Sequence, residues 1–275
     1  MEELNLNKLL EISINATIVA GKKICEIYQN TFDVKYKEDH SPLTIADLKS
    51  NEVIQSFLLK TGIPILSEEG KSIPYQERKE WDILWIVDPL DGTKEFVKRN
   101  GEFTVNIALI ENGIPALGVI YVPVRRCLYF ASEITGSLKV ENIAADSGSF
   151  DLKELLKKGS ILPLEFTNRT YKVVGSKSHM TKETEDYIDE LKKHHSQIEV
   201  LSKGSSLKIC MVAEGEADEY PRFAPTMEWD IAAGHAIVKY SGGSLINYDT
   251  QKEMTYNRET MLNPWFLVKK KGLCI

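Results

Sequence analysis

The chain has 275 residues, of which 43% are hydrophobic and 27% charged, and its formal charge is −6. A chain of this length buries about three-quarters of its unfolded surface without staples, and its length allows one large domain or two small ones. Mild acidity without a basic tract speaks against a protein that coats long nucleic acids, and no apolar run reaches the roughly 18 residues of a spanning helix.

The start, MEELNLNKLLE, is acidic and amphipathic and lacks the basic start and apolar centre of a secretory signal. A cytoplasmic protein is expected, with any membrane association peripheral, at the inner face. Leu6, Leu9, Ser13, Thr17, Ala20, Ile24 and Ile27 recur at three- and four-residue spacing and predict a first helix. A polar loop from Asp33 to Ser41 follows. Pro42 and Thr44 introduce a second helix, with Asp47 three residues after Thr44 in the pattern of a capping box; it runs to about Lys60 and stops at Gly62. Short apolar runs come next. Ile63 to Leu66 ends at Ser67-Glu68-Glu69, and Ile83 to Val87 ends at Asp88. Phe103 to Ile110 and Ala116 to Tyr121 flank Glu111-Asn112-Gly113, a hairpin signal, and Arg126 to Ala131 extends the meander. This first half, residues 1–150, reads as a helix pair followed by an antiparallel sheet.

The polar stretch from about Glu141 to Asn168 marks the boundary with a second half, residues 151–275. There, strands are predicted at Tyr171 to Gly175, Ala217 to Tyr220, near Leu245 and near Phe266. Helices are predicted at Lys182 to His194, Ser205 to Ala213 and Glu228 to Tyr240, the last stopping at Gly242-Gly243. The four cysteines, Cys25, Cys127, Cys210 and Cys274, form no CxxC pair and read as free thiols, mostly buried.

The informative stretch is WIVDPLDGT, Trp85 to Thr93. An apolar strand delivers two aspartates, three residues apart, onto a Pro/Gly turn. Two carboxylates in one turn repel each other, and the arrangement becomes favourable when cations sit between them. Hard oxygen ligands suit Mg²⁺ or Mn²⁺, and Glu68 at the end of the neighbouring strand is placed to join them. On spacing alone, Asp88 and Asp91 are equally compatible with turn caps, Asp47 with a helix-start acid, and Glu228 and Asp230 with favourable charge at a helix N-terminus.

Taken together, SPLTIAD (Ser41–Asp47), LSEEG (Leu66–Gly70), DPLDGTKEF (Asp88–Phe96) and EWDIAAG (Glu228–Gly234) occur in the order found in the lithium-sensitive, magnesium-dependent phosphomonoesterases. The sequence thereby resembles the inositol monophosphatase superfamily over nearly its whole length. GSKSH (Gly175–His179), GSSLKIC (Gly204–Cys210) and VAEGEADEYPRFAPTMEWD (Val212–Asp230) are similar to its 3′(2′),5′-bisphosphate nucleotidase branch, with Ala224 standing where that branch usually has glycine.

The resemblance implies an α+β fold, a five-layer α-β-α-β-α sandwich. It implies that Glu68, Asp88, Asp91 and Asp230, with the Leu90 carbonyl, hold two or three Mg²⁺ ions, that Mn²⁺ substitutes and that Li⁺ inhibits. It implies that Asp47 and Thr93 act as a carboxylate–hydroxyl pair accepting the proton of the attacking water. Gly92, Thr93 and Asp230 then border the substrate, Lys208 and Arg222 are cations for its second phosphate, Ser205 donates beside them, and His179 meets the nucleoside. Lys208, Arg222, Ser205 and His179 are each also compatible with ordinary surface residues. The expected substrate is a small nucleotide, adenosine 3′,5′-bisphosphate, cleaved to AMP and phosphate, with 3′-phosphoadenylyl sulfate as a further candidate. The alternative is inositol or another sugar monophosphate. A catalytically silent binding module is disfavoured because it has no use for the Asp47–Thr93 pair. Monomer and homodimer are both compatible with the superfamily.

Overall fold

In the computed structural model, residues 5–30, 34–36, 42–143, 149–167, 169–175 and 180–273 are described. The chain opens with helix α1 (Leu6–Tyr28), a small hairpin of β1 (Val34–Tyr36) and β2 (Pro42–Thr44), and helix α2 (Ile45–Leu58). Strand β3 (Ile65–Ser67), the short α3 (Tyr75–Arg78), β4 (Ile83–Asp91) and the short α4 (Thr93–Val97) follow. The meander β5 (Thr104–Glu111), β6 (Ile114–Val122), β7 (Cys127–Ser132) and β8 (Gly136–Val140) leads to α5 (Leu152–Lys158) and β9 (Ser160–Ile161). Then come β10 (Tyr171–Gly175), α6 (Lys182–Leu191), β11 (Ile198–Ser202), α7 (Leu207–Glu214), β12 (Glu219–Arg222), α8 (Glu228–Tyr240), β13 (Ser244–Asn247) and β14 (Phe266–Lys269).

Strands β3 to β9 form one sheet in chain order, antiparallel throughout except for the parallel β3–β4 pair. A second sheet has the order β11-β10-β12-β14-β13, with β11, β10 and β12 parallel. Helices α1 and α2 cover one face of the first sheet. Helices α7 and α8 fill the space between the sheets, and α6 lies against the second sheet at β12. These are the five layers implied by the family resemblance.

The two faces of the first sheet explain its nearly unbroken apolar strands. Trp85, Val87, Val105, Ile107, Val119 and Phe130 join the core under α1 and α2. Leu84, Ile86, Ala108, Ile120 and Tyr129 join the core shared with α7 and α8. A sheet buried on both sides has no polar face, so period-two alternation disappears. Helix α8 lies close on this sheet because residue 118 is glycine: a Cβ there would stand 2.5 Å from the Ala233 carbonyl oxygen.

Most predicted elements are present within a few residues. The capping box of α2 is formed: Thr44 Oγ1 accepts from the Ala46 N–H at 3.1 Å, and Asp47 Oδ2 accepts from the Thr44 N–H at 2.8 Å. Gly62 ends the following 3-10 turn at φ +69°, and Asn112 and Gly113 turn the β5–β6 hairpin at φ +50° and +78°. Strands β1, β2, β8, β9 and β11 and the short helices α3, α4 and α5 are not among the predicted elements; β1 lies in the stretch read as a polar loop, and α5 and β9 lie in the polar stretch read as a boundary. Cys25, Cys127 and Cys210 are free, the last two buried, whereas Cys274 lies outside the described residues.

Candidate active site

The aspartate pair does not sit on a turn. Strand β4 runs through it with a bulge: Asp88 pairs with Asn106 and Asp91 with Thr104, so Pro89 and Leu90 together face Val105 alone. Residues three apart on a regular strand point to opposite faces. The extra residue of the bulge restores parity and turns both carboxylates to the same side, and a proline lacking its N–H is tolerated there. Glu68 leaves β3 beside Asp88, its N–H donating to the Val87 carbonyl at 3.1 Å. Asp230 arrives from the second half as the third residue of α8, where one of its oxygens accepts from the Met227 N–H at 2.7 Å.

One carboxylate oxygen from each of Asp88, Asp91 and Asp230 lies within 4.8 Å of the others. Burial, then the charges of Glu68, Asp91 and Asp230, push the Asp88 carboxyl well above its ordinary range. Burial and the Asp91 charge push Asp230 up to about 8. The Leu90 carbonyl belongs to the same bulge. This donor set is all oxygen, crowded and mutually repulsive, and fits a hard divalent cation such as Mg²⁺.

Asp47 is buried at the start of α2 with its carboxylate fully engaged. Oδ2 takes the Thr44 N–H and hydroxyl at 2.8 and 2.7 Å, and Oδ1 takes the Thr93 hydroxyl at 3.0 Å. Burial raises its pKa, opposed by the bonds from Thr44 and Thr93. One turn along α2, Ser50 donates at 2.6 Å to the Pro89 carbonyl at the bulge. The helix that carries Asp47 is thus fastened to the strand that carries Asp88. Gly92, at φ +91°, reverses the chain so that α4 can begin at Thr93; the Leu90 carbonyl stands 3.3 Å from that residue's hydroxyl.

Beside the acids opens a cleft of about 440 Å³, bordered by Asp91, Gly92, Ser205, Lys208, Arg222 and Asp230 among others. Lys208 is 8% exposed; its ammonium donates to the Ser205 carbonyl at 2.7 Å and lies 5.7 Å from the Tyr220 ring centre. Burial pulls its pKa down to about 8, against the raising charge of Asp91. Arg222 ends β12 and reaches the Pro225 carbonyl at 3.1 Å. Among the described residues, neither Ser205 Oγ nor Arg222 Nε finds a hydrogen-bond partner, although both atoms are buried. Leaving such groups unpaired costs about 1–3 kcal/mol each.

Two backbone amides just before α7 are already engaged. The Gly204 N–H donates to Glu102 at 2.9 Å and the Ser206 N–H to Asp91 at 2.6 Å. Sequence reasoning missed Glu102, Asn106, Thr104 and Ser206. The first is an ordinary charged loop residue; Asn106 is the polar side chain in the interior of the apolar strand β5, which Thr104 opens, and that was a usable signal. His179 lies outside the described residues.

The sequence model of the inositol monophosphatase family matches residues 5–274. The chain is 43% identical over 254 residues to the 3′(2′),5′-bisphosphate nucleotidase CysQ of Salmonella typhimurium, covering 90% of this chain and 94% of that one. The crystal structure of CysQ from Bacteroides thetaiotaomicron, 50% identical, superimposes with a TM-score of 0.90 over 98% of this chain and 99% of that one. An inositol monophosphatase from Thermotoga maritima, 24% identical, shares the fold at a TM-score of 0.71, over 95% of this chain and 92% of its own. The layered fold is therefore a known architecture, and this chain belongs to the inositol monophosphatase family.

Proposed function

We propose that the chain is a Mg²⁺-dependent 3′(2′),5′-bisphosphate nucleotidase that hydrolyses adenosine 3′,5′-bisphosphate to AMP and phosphate. The observation that carries the substrate assignment is the pair of buried, unpartnered donors, Ser205 Oγ and Arg222 Nε, in one cleft with the Lys208 ammonium. A dianion placed there satisfies all three, and the acid cluster beside it serves the reacting phosphate. A monophosphate leaves them unpaired. The likeness to the CysQ nucleotidases supports the same reading.

Glu68, Asp88, the Leu90 carbonyl, Asp91 and Asp230 would hold two or three Mg²⁺ ions, with Mn²⁺ able to replace them and Li⁺ inhibitory. Bound Mg²⁺ supplies Lewis acidity, neutralising phosphate charge, lowering the pKa of water and stabilising the leaving oxygen. Thr93 orients the attacking water and passes its proton to Asp47, which a hydroxyl alone is too weak a base to take. Gly92, without a side chain, lets the phosphate approach the start of α4. Lys208, Arg222 and Ser205 hold the 5′-phosphate, and the same contacts admit 3′-phosphoadenylyl sulfate. His179 is assigned to the nucleoside by its position in the motif alone.

Phosphate release with Mg²⁺ tests the reading. Adenosine 3′,5′-bisphosphate should be turned over well ahead of adenosine 3′-monophosphate, inositol 1-phosphate and fructose 1,6-bisphosphate. Arg222→Ala should lower kcat/KM for the bisphosphate by about ten- to a hundredfold, the scale of one lost charge-assisted bond, and change the 3′-monophosphate little. Equal fractional losses on both nucleotides would assign Arg222 to the fold or to the reacting phosphate and remove the case for a bisphosphate.

A further inference from the structure

Two adjacent serines at the start of α7 face different tasks. Ser205 takes a left-handed backbone, φ +48°, and its hydroxyl borders the cleft without a partner among the described residues. Ser206, 3% exposed and bordering the same cleft, donates both its N–H and its hydroxyl to the same oxygen, Asp91 Oδ2, each at 2.6 Å. Thr104 and Asn106 reach that oxygen only at 3.4 Å, so Ser206 supplies the two short bonds. The Ser206 hydroxyl also lies 2.8 Å from the Asp230 carbonyl oxygen. Asn106 Nδ2 donates to Ser206 Oγ at 2.9 Å, occupying a lone pair and leaving the hydroxyl proton for those two acceptors.

We propose that Ser206 is a positioning residue of the cation site: it fixes the Asp91 carboxylate by one oxygen, leaves the other for the cation, and ties Asp91 to the helix turn that carries Asp230. This rests on the reading of the acid cluster as a Mg²⁺ site. The physical need is plain. Asp91 and Asp230 come from opposite halves of the chain and repel each other, so their approach has to be imposed by neutral donors that reach both. A carboxylate with one oxygen doubly bonded loses the rotation that would otherwise be frozen when a cation binds, and pre-orientation of this kind strengthens binding.

The test is calorimetric titration of the chelator-stripped full chain with Mg²⁺. Ser206→Ala keeps the backbone N–H bond and loses the hydroxyl; Mg²⁺ affinity should fall by roughly 10- to 100-fold, the range for partners that orient metal ligands. Asn106→Ala should shift affinity in the same direction by less, and the double variant should lose little beyond Ser206→Ala, because Asn106 acts through the hydroxyl. Unfolding midpoints in chelator separate this role from a structural one: a lowered midpoint with wild-type Mg²⁺ affinity overturns the proposal. If Ser206→Ala does not fold, wild-type affinity in Asn106→Ala overturns it equally. Absence of Mg²⁺ binding by the wild type would instead remove the cation reading, and this proposal with it.

Discussion

The two walls of the cleft are built differently. Apart from Glu68, which follows the three-residue β3, the acid wall rests on long elements: Asp88 is 1% exposed in a nine-residue strand buried on both faces, and Asp47 and Asp230 lie in the first turns of helices of 14 and 13 residues. The cationic wall rests on short ones: Ser205 in a left-handed turn, Lys208 on an eight-residue helix, Arg222 at the end of a four-residue strand. A reaction that needs several oxygens within 4.8 Å of one another tolerates little play, so its ligands sit where packing leaves none. Recognition of a second anion tolerates more and can be altered without moving the reacting centre.

The first way to break this comparison is to remove an acid. Asp88→Asn should abolish turnover, by about a thousandfold or more, because a positioned cation contributes several kcal/mol to the transition state. The same change should stabilise the chelator-treated protein, since it removes a carboxyl whose ionisation is opposed by burial and by like charges; about 1 kcal/mol corresponds to a rise of roughly 2–4 °C in the unfolding midpoint. Loss of activity with a lowered midpoint would show that Asp88 holds the fold rather than opposing it. The second way separates base from ligand. Asp47→Asn should cut kcat by roughly a hundredfold or more, with Mg²⁺ affinity changed far less than in Asp88→Asn. Equal losses of Mg²⁺ binding in calorimetry would make Asp47 a ligand.

The acid wall was also the more legible of the two in the sequence. WIVDPLDGT gathers two carboxylates in one short stretch, which reads as a cation site only together with the other motifs, and the Thr44–Asp47 capping box follows from spacing alone. The bulge was hidden, because parity along a strand is invisible until the partner strand and its register are known; Asp91 opposite Thr104 is a property of two segments, not one. The same holds for Ser206, whose partner lies 115 residues away. Strand β11 escaped because it lies at a sheet edge with none of its residues fully buried, so its apolar pattern is thin. The order of the five layers was available only from the resemblance: helix and strand periodicity fix elements but not which helix lies between two sheets.

The smallest expected effect is a matter of pH, and it probes the cationic wall alone. Burial draws the Lys208 ammonium down to about 8, so it is charged at pH 7 and loses its proton as the solution is raised through that value. The value applies to the protein without substrate, and kcat/KM reports the free enzyme. At pH 7, Lys208→Gln should lower kcat/KM for adenosine 3′,5′-bisphosphate by about tenfold, the lower end for a lost charge-assisted bond. The wild-type advantage should shrink as pH rises and be nearly gone by about pH 9.5, where the lysine is neutral. Cations on Asp91 and Asp230 offset the carboxylate charges that hold the ammonium up, which moves the convergence to lower pH rather than higher. Adenosine 3′-monophosphate, lacking the second phosphate, should show no such gap at any pH. A tenfold gap persisting at pH 9.5 would mean that Lys208 remains charged in the cleft. A matching gap with the monophosphate would mean that it serves the reacting phosphate, and the division of labour between the two walls would fail.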